Sequence, residues 1–278
     1  MSMTIESEHE LRNLMRIGQI CAMTLEHMLA HVEPGMTTAQ LDAIGAAFLK
    51  RHGARSAPIL AYRFPGHTCI SLNDEAAHGI PGKRVIQPGD VINIDVSAEL
   101  EGFWADTGAS ALVPPGKADH ERLLDATRQA RDRGISAARA GQPLNAIGRA
   151  VERVARETGY HVITELSGHG VGRNIHEPPT VHNFYFKRAG QKLVPGLVIT
   201  IEPFLTPGVG HIYTARDGWT LRTRDGAIPA QYEHTIVIDG DRPIIVTAAG
   251  SAPGANNTGD IRSMKVPLSW LKEYVDHP

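Results

Sequence analysis

The chain is short of cysteine, of excess charge and of long apolar runs, and each shortage removes a class of function. Only Cys21 and Cys69 occur among 278 residues. Without an export signal they read as reduced thiols of a cytosolic protein. Lys and Arg number 28 against 30 Asp and Glu, a formal net charge of −2. That balance gives no polyelectrolyte attraction to nucleic acid or to an anionic membrane surface, so a partner has to be recognised in a site. No apolar run approaches the roughly 18 residues that a membrane-spanning helix needs. The opening MSMTIESEHEL has neither a basic nor an apolar leader segment, and the expected location is cytoplasmic.

What the chain does have is histidine, 14 residues in all, and glycine where histidine sits. In GHGVGRNIHEPP, residues 168–179, His169 and His176 stand among Gly168, Gly170 and Gly172. Each of those glycines would cost a helix interior roughly 1 kcal/mol relative to alanine, and Pro178 and Pro179 favour extended or turn geometry. The stretch reads as a strand end running into a glycine turn that approaches something small and polar.

Helical periodicity follows the capping signals Ser7/Glu10 and Thr37/Gln40, the second helix ending near Gly53. Two further helices are predicted over 118–140 and 144–157. Strand-like runs cover 91–98, 103–113, 161–166, 197–203, 212–216 and 231–238. Two helices then strands, repeated once, predicts a mixed α/β (α+β) fold of two related halves with antiparallel pairing. The expected organisation is one domain over 1–250 and a tail, 251–278, that begins as a Gly/Ser/Asn/Pro-rich linker.

In VINIDVSAELEGFWADTG, residues 91–108, a turn near Glu101-Gly102 makes a hairpin. With residues 100 and 101 at its centre, Asp95 faces Asp106, their Cβ atoms about 4.5–5.5 Å apart. Like charges that close need protonation, a cation or solvent. Asn93, Asp95 and Ser97 share one face and Ile92, Ile94 and Val96 the other, which also fits an edge hairpin whose aspartates meet water. The second half weighs against that reading. Glu202 in LVITIEPFL and Glu233 in QYEHTIVI lie in apolar strand patterns, where an unpaired carboxylate is costly. Four carboxylates and one imidazole make a ligand set for divalent Mn, Fe, Co or Zn, and such a set can bridge two cations.

The segments NDEAAHGIP, NIDVSAELEGFWADTG, SGHGVGRNIHEPP, TIEPFL and QYEHTIVI, in this order and at these separations, resemble the type I methionine aminopeptidases of the pita-bread fold. The resemblance runs from about residue 5 to residue 248. It implies a hydrolase that removes the initiator methionine of nascent chains when the second residue is small, a metal-activated water attacking the first peptide bond. It implies Asp95, Asp106, His169, Glu202 and Glu233 as ligands of two divalent ions, with Glu202 also shuttling a proton. It implies that His78 and His176 contact the substrate, and that Phe64, Cys69 and Trp219 wall the methionine pocket. Pro58 and Ala61 stand where the family commonly has cysteine and tyrosine, and Ile175 replaces a frequent aromatic, changes that loosen the pocket. A monomer is expected, with the ribosome as a candidate partner. A non-catalytic pita-bread protein that binds peptides is the alternative.

Overall fold

A computed structural model describes residues 3–248; the tail proposed from residue 251 lies outside the described residues. The first helix, α1 (Glu8–Ala30), starts where Ser7 Oγ accepts the Glu10 N–H at 3.2 Å. Its capping box stays half-formed, because the Glu10 carboxylate turns to the Glu6 N–H. For α2 (Thr38–Arg51) the box closes in both directions between Thr37 and Gln40. There follow β1 (Arg55–Ser56), α3 (Ala57–Tyr62), β2 (Cys69–Leu72), β3 (Glu75–Ala77), β4 (Val91–Leu100) and β5 (Phe103–Leu112). The second half has α4 (Ala118–Ala137), α5 (Asn145–Thr158), β6 (His161–Val162), β7 (Ser167–Gly170), β8 (Glu177–His182) and β9 (Val198–Ile201). It closes with β10 (Phe204–Thr206), β11 (Ile212–Thr214), β12 (Leu221–Thr223), β13 (Ala230–Gln231), β14 (His234–Val237) and β15 (Ile244–Ile245).

The pairings are antiparallel throughout these strands. In the first half β4 takes β1 and β2 on one side and β5 on the other; in the second the order is β15-β14-β9-β7-β8. Two three-stranded sheets, β13-β10-β6 and β11-β12-β3, complete the set. Helix α1 lies on β4 and β5 beside α2, while α4 and α5 pack together over β10, β13, β6 and β8. The expected repeat of helix pair and strands is therefore present. Leu14, Ile17, Met28 and Leu41 of the first helix pair meet Ile92, Ile94 and Val96 of β4 in one core.

Three expectations change. The hairpin centre is Glu101-Gly102, not residues 100 and 101, since both central residues take positive φ, 53° and 84°, as a two-residue turn matched to strand twist requires. Partner numbers then sum to 203, so Asp95 pairs with Gly108 and Asp106 with Ser97. A shift of two keeps both aspartates on one face but sets them diagonally. That face is not a water-facing edge, because Asn93, Ser97 and Asp106 are buried. The strand predicted over 161–166 ends at Val162.

A seam explains the burial. Asp106 N–H donates to Thr235 Oγ1 (3.0 Å), whose hydroxyl returns a bond to the Asp106 carbonyl (2.7 Å). The Glu233 N–H reaches the Gly108 carbonyl at 2.9 Å, and Thr107 Oγ1 reaches the Glu233 carbonyl at 2.9 Å. Gly108 admits this approach, since a Cβ there would sit 2.5 Å from Gln231 Oε1. β5 is thus stitched to β14 and to the Glu233 segment that precedes it.

Candidate metal centre

Each half delivers a carboxylate pair by strand register. Asp95 and Asp106 lie diagonally across β4 and β5. Glu202 and Glu233 follow directly on the Ile201–His234 pair that ends the β9–β14 ladder, which brings their carboxyls close enough to act on each other. His169 on β7 completes the group: its Nε2 lies 3.8 Å from Asp106 Oδ2 and 3.5 Å from Glu202 Oε1. Ligand atoms of Asp106, His169 and Glu233 lie within 4.8 Å of one another, and the Asp95 carboxyl contacts that of Asp106. The five groups named from the sequence converge.

Their surroundings are nearly dry. Glu233 is 1% exposed, Asp106 6% and His169 9%. Burial, reinforced by the neighbouring carboxylates, holds Asp106, Glu202 and Glu233 well above the usual carboxyl range. Burial raises Asp95 to about 6, the Asp106 hydrogen bond opposing it. Burial, then His176, pushes His169 down to about 3, so its imidazole is a neutral donor of a lone pair. Asp106 Oδ1 and Glu233 Oε1 are buried with no hydrogen-bond partner. Unpartnered oxygens this deeply buried are costly once their carboxyls ionise unless something positive meets them, and divalent cations fit this donor set of four carboxyls and one neutral imidazole.

The remaining oxygens are held. Gln231 Nε2 donates to Glu233 Oε2 (3.0 Å) and its Oε1 accepts from Asn93 Nδ2 (2.8 Å). Thr200 Oγ1 donates to Glu202 Oε1 (2.9 Å) while accepting the His169 N–H (3.0 Å), and the His169 Nδ1 lies 2.9 Å from the Gly170 carbonyl. Such partners fix ligand orientation. The sequence reading passed over them, although Gln231, two residues from Glu233, sits on the same strand face by simple alternation.

Above the group opens a cavity of about 700 Å³ lined by Asp95, Asp106, His169 and Glu202 and also by Phe64, Cys69, His78, His176 and Trp219. Glu233 lies below this lining. Phe64 and Trp219 meet edge to face, centroids 5.2 Å apart, and Asp217 fixes the second ring's loop by accepting the Trp219 and Thr220 N–H groups. Cys69 pairs with Asp95 across β2 and β4, and burial raises its thiol pKa well above the usual value. Both cysteines are free and buried. His78, in a left-handed conformation at φ 55°, and His176 are open to solvent at the mouth. Desolvation lowers the pKa of both, His78 adding to the effect on His176. Pro58 and Ile175 also line the wall, and Tyr62, unnoticed in the sequence, does so in preference to Ala61. Glu177, buried, accepts the Arg173 and Asn174 N–H groups and so fixes the turn that presents His176. Among the described residues no helix is long and apolar enough to cross a membrane.

The model of metallopeptidase family M24 matches residues 12–240. "Methionine aminopeptidase 2" of Bacillus subtilis is 46% identical over 247 residues, covering 88% of this chain and 99% of that protein. The crystal structure of methionine aminopeptidase from Rickettsia prowazekii superposes with a TM-score of 0.85 at 34% identity, over 88% of this chain and all of that one. The prolidase from Pyrococcus furiosus, at TM-score 0.73 and 21% identity over 89% of this chain and 66% of its own, shares the fold alone. Sequence likeness over nearly the full length of the relatives, joined to this geometry, decides the matter: the chain belongs to metallopeptidase family M24, among the type I methionine aminopeptidases of the pita-bread fold.

Proposed function

We propose that this chain hydrolyses the first peptide bond of proteins and peptides that begin with methionine, releasing methionine when the next residue is small. The observation that carries the reading is the pair of orphaned oxygens, Asp106 Oδ1 and Glu233 Oε1, in a carboxylate floor beneath an aromatic-walled cavity. In this reading Asp95, Asp106, His169, Glu202 and Glu233 hold two divalent cations of the Mn, Fe, Co or Zn type. Bound there, the cations supply a Lewis acid and make water a nucleophile at neutral pH.

The protein's own groups do the rest. Phe64, Cys69 and Trp219 receive the methionine side chain, its sulfur meeting aromatic edges for about 0.3–1.5 kcal/mol. Glu202 takes the proton of the attacking water and passes it to the leaving amine. His176 donates to the scissile carbonyl oxygen as negative charge develops, and His78 hydrogen-bonds the scissile amide. Open positions at the mouth let both histidines reach a substrate that Glu233 cannot touch. The retained charge set argues against a non-catalytic peptide binder, which has no use for such a costly floor. The catalytic domain in this reading spans 1–250, and the setting is a reducing cytoplasm in which both thiols persist.

The test is direct: purified protein with Mn or Co and the peptide Met-Ala-Ser should release free methionine and stop on chelation. Inactivity with every divalent ion tried would overturn the proposal.

A further inference from the structure

We infer that Tyr62 is a positioning residue that fixes the ring orientation and tautomer of His176, a role resting on the peptidase reading above. Tyr62 is the last residue of α3, and its Oη lies 2.5 Å from His176 Nδ1 across 114 positions of sequence. Their ring centroids are 5.5 Å apart and inclined at 49°, so the contact runs through the hydroxyl and not through stacking. From the other side the His169 ring comes within 4.2 Å of the His176 ring, centroid to centroid. The imidazole is thus bracketed, and rotation about its side-chain bonds would break the Tyr62 bond.

The bond also selects a proton position. A phenol is the better donor and an imidazole sp² nitrogen the better acceptor, so Tyr62 O–H donates to Nδ1. A neutral imidazole carries one N–H, and with Nδ1 accepting, that hydrogen resides on Nε2. Nε2–H is the donor a developing carbonyl oxyanion requires. Without Tyr62 the two tautomers would compete, and one of them offers the oxyanion only a lone pair.

Tyr62 is itself held in place. Ser56 Oγ caps α3 by accepting the Ile59 N–H and donates to the His67 carbonyl at 2.8 Å. Arg63, left-handed at φ 57°, turns the chain out of the helix, and the Phe64 N–H reaches back to the Pro58 carbonyl at 3.2 Å. One short helix therefore carries both the His176 partner and the approach to the Phe64 wall. Tyr62 is 45% exposed, so Tyr62→Phe removes the hydroxyl without opening the core.

Two measurements on Tyr62→Phe test the inference: steady-state kinetics on Met-Ala-Ser, and long-range proton–nitrogen NMR of the His176 ring in the metal-free protein. The expected result is a kcat lowered about ten- to hundredfold, less than the roughly 10²–10³ lost when an oxyanion donor is removed outright. KM should stay within about twofold, because the bond matters most as charge develops. The His176 spectrum should pass from the Nε2–H form to a mixture, and Tyr62→His, which restores a donor, should recover part of kcat. An unchanged tautomer, or an unchanged kcat, overturns the role. Wild-type protein that releases no methionine would instead overturn the peptidase reading, with the NMR comparison still judging the Tyr62–His176 bond.

Discussion

At the floor of the cavity Asp106 and Glu233 are all but sealed from water and each leaves an oxygen unbonded. At its mouth His78 and His176 are open to solvent, and His176 has a hydroxyl partner at 2.5 Å. The floor stores carboxyl groups whose ionised forms are unfavourable until protons or cations meet them. The mouth stores none: both its histidines are lowered in pKa and so neutral, and His176 is held by Tyr62. Burial is thus spent where a metal must be held, and access is kept where a substrate must come and go.

The sharpest way to break the contrast is at the floor. Asp106→Asn should lower kcat/KM at least about a hundredfold, beyond the roughly 10–100-fold typical of an outer-sphere partner. The same variant should raise the melting temperature of metal-free protein, because one repelled, desolvated charge is gone. A lower melting temperature would mean that the orphaned carboxyl is not the source of strain. At the mouth, His78→Ala should lower kcat by roughly 10²-fold or somewhat less, since a hydrogen bond to the scissile amide is lost, while bound metal measured by elemental analysis stays unchanged. Loss of metal in that variant would erase the distinction between the two regions. Gln231→Ala, which frees Glu233 Oε2, should weaken metal affinity about 10–100-fold with substrate KM unaltered, read by titration calorimetry.

The smallest effect concerns pH. A carboxyl with a folded-state pKa above its unfolded value contributes stability below the unfolded value and loses it as pH rises through the folded one. For Asp95 that window runs from 3.8 to about 6, and Asp106, Glu202 and Glu233 extend the loss upward. His169, lowered from 6.5 to about 3, works oppositely, adding stability as pH rises through that interval. Because four raised carboxyls oppose one lowered imidazole, metal-free protein should lose a few degrees of melting temperature as pH rises past the Asp95 value, and protein saturated with Mn should not. Equal pH slopes with and without metal would contradict the account of the floor.

Local stereochemistry made much of this legible. The α1 and α2 helices follow their caps and α4 and α5 their periodicity, and strand alternation set Asp95 and Asp106 on one face in either of two registers that differ by two residues. The register itself was missed because turn type, not composition, chooses the centre: Gly102 accepts positive φ freely, and Glu101 is drawn into it as the partner position. Six-residue α3 is too short to show a period, which hid Tyr62. Pro178 and Pro179 masked β8, and the strand tolerates them because β8 is an edge of its sheet.

By itself the sequence determined which side chains share a face, where glycine lets the chain turn, and which residue types are present to bind cations. Those follow from bond geometry within a few residues. Only the tertiary structure decided that β5 joins the segment bearing Glu233, that Glu202 comes close to Glu233, and that Tyr62 meets His176. Segments this far apart in sequence have no local rule to fix their spacing; the packing of two helix-backed sheets along one hydrogen-bonded seam sets it.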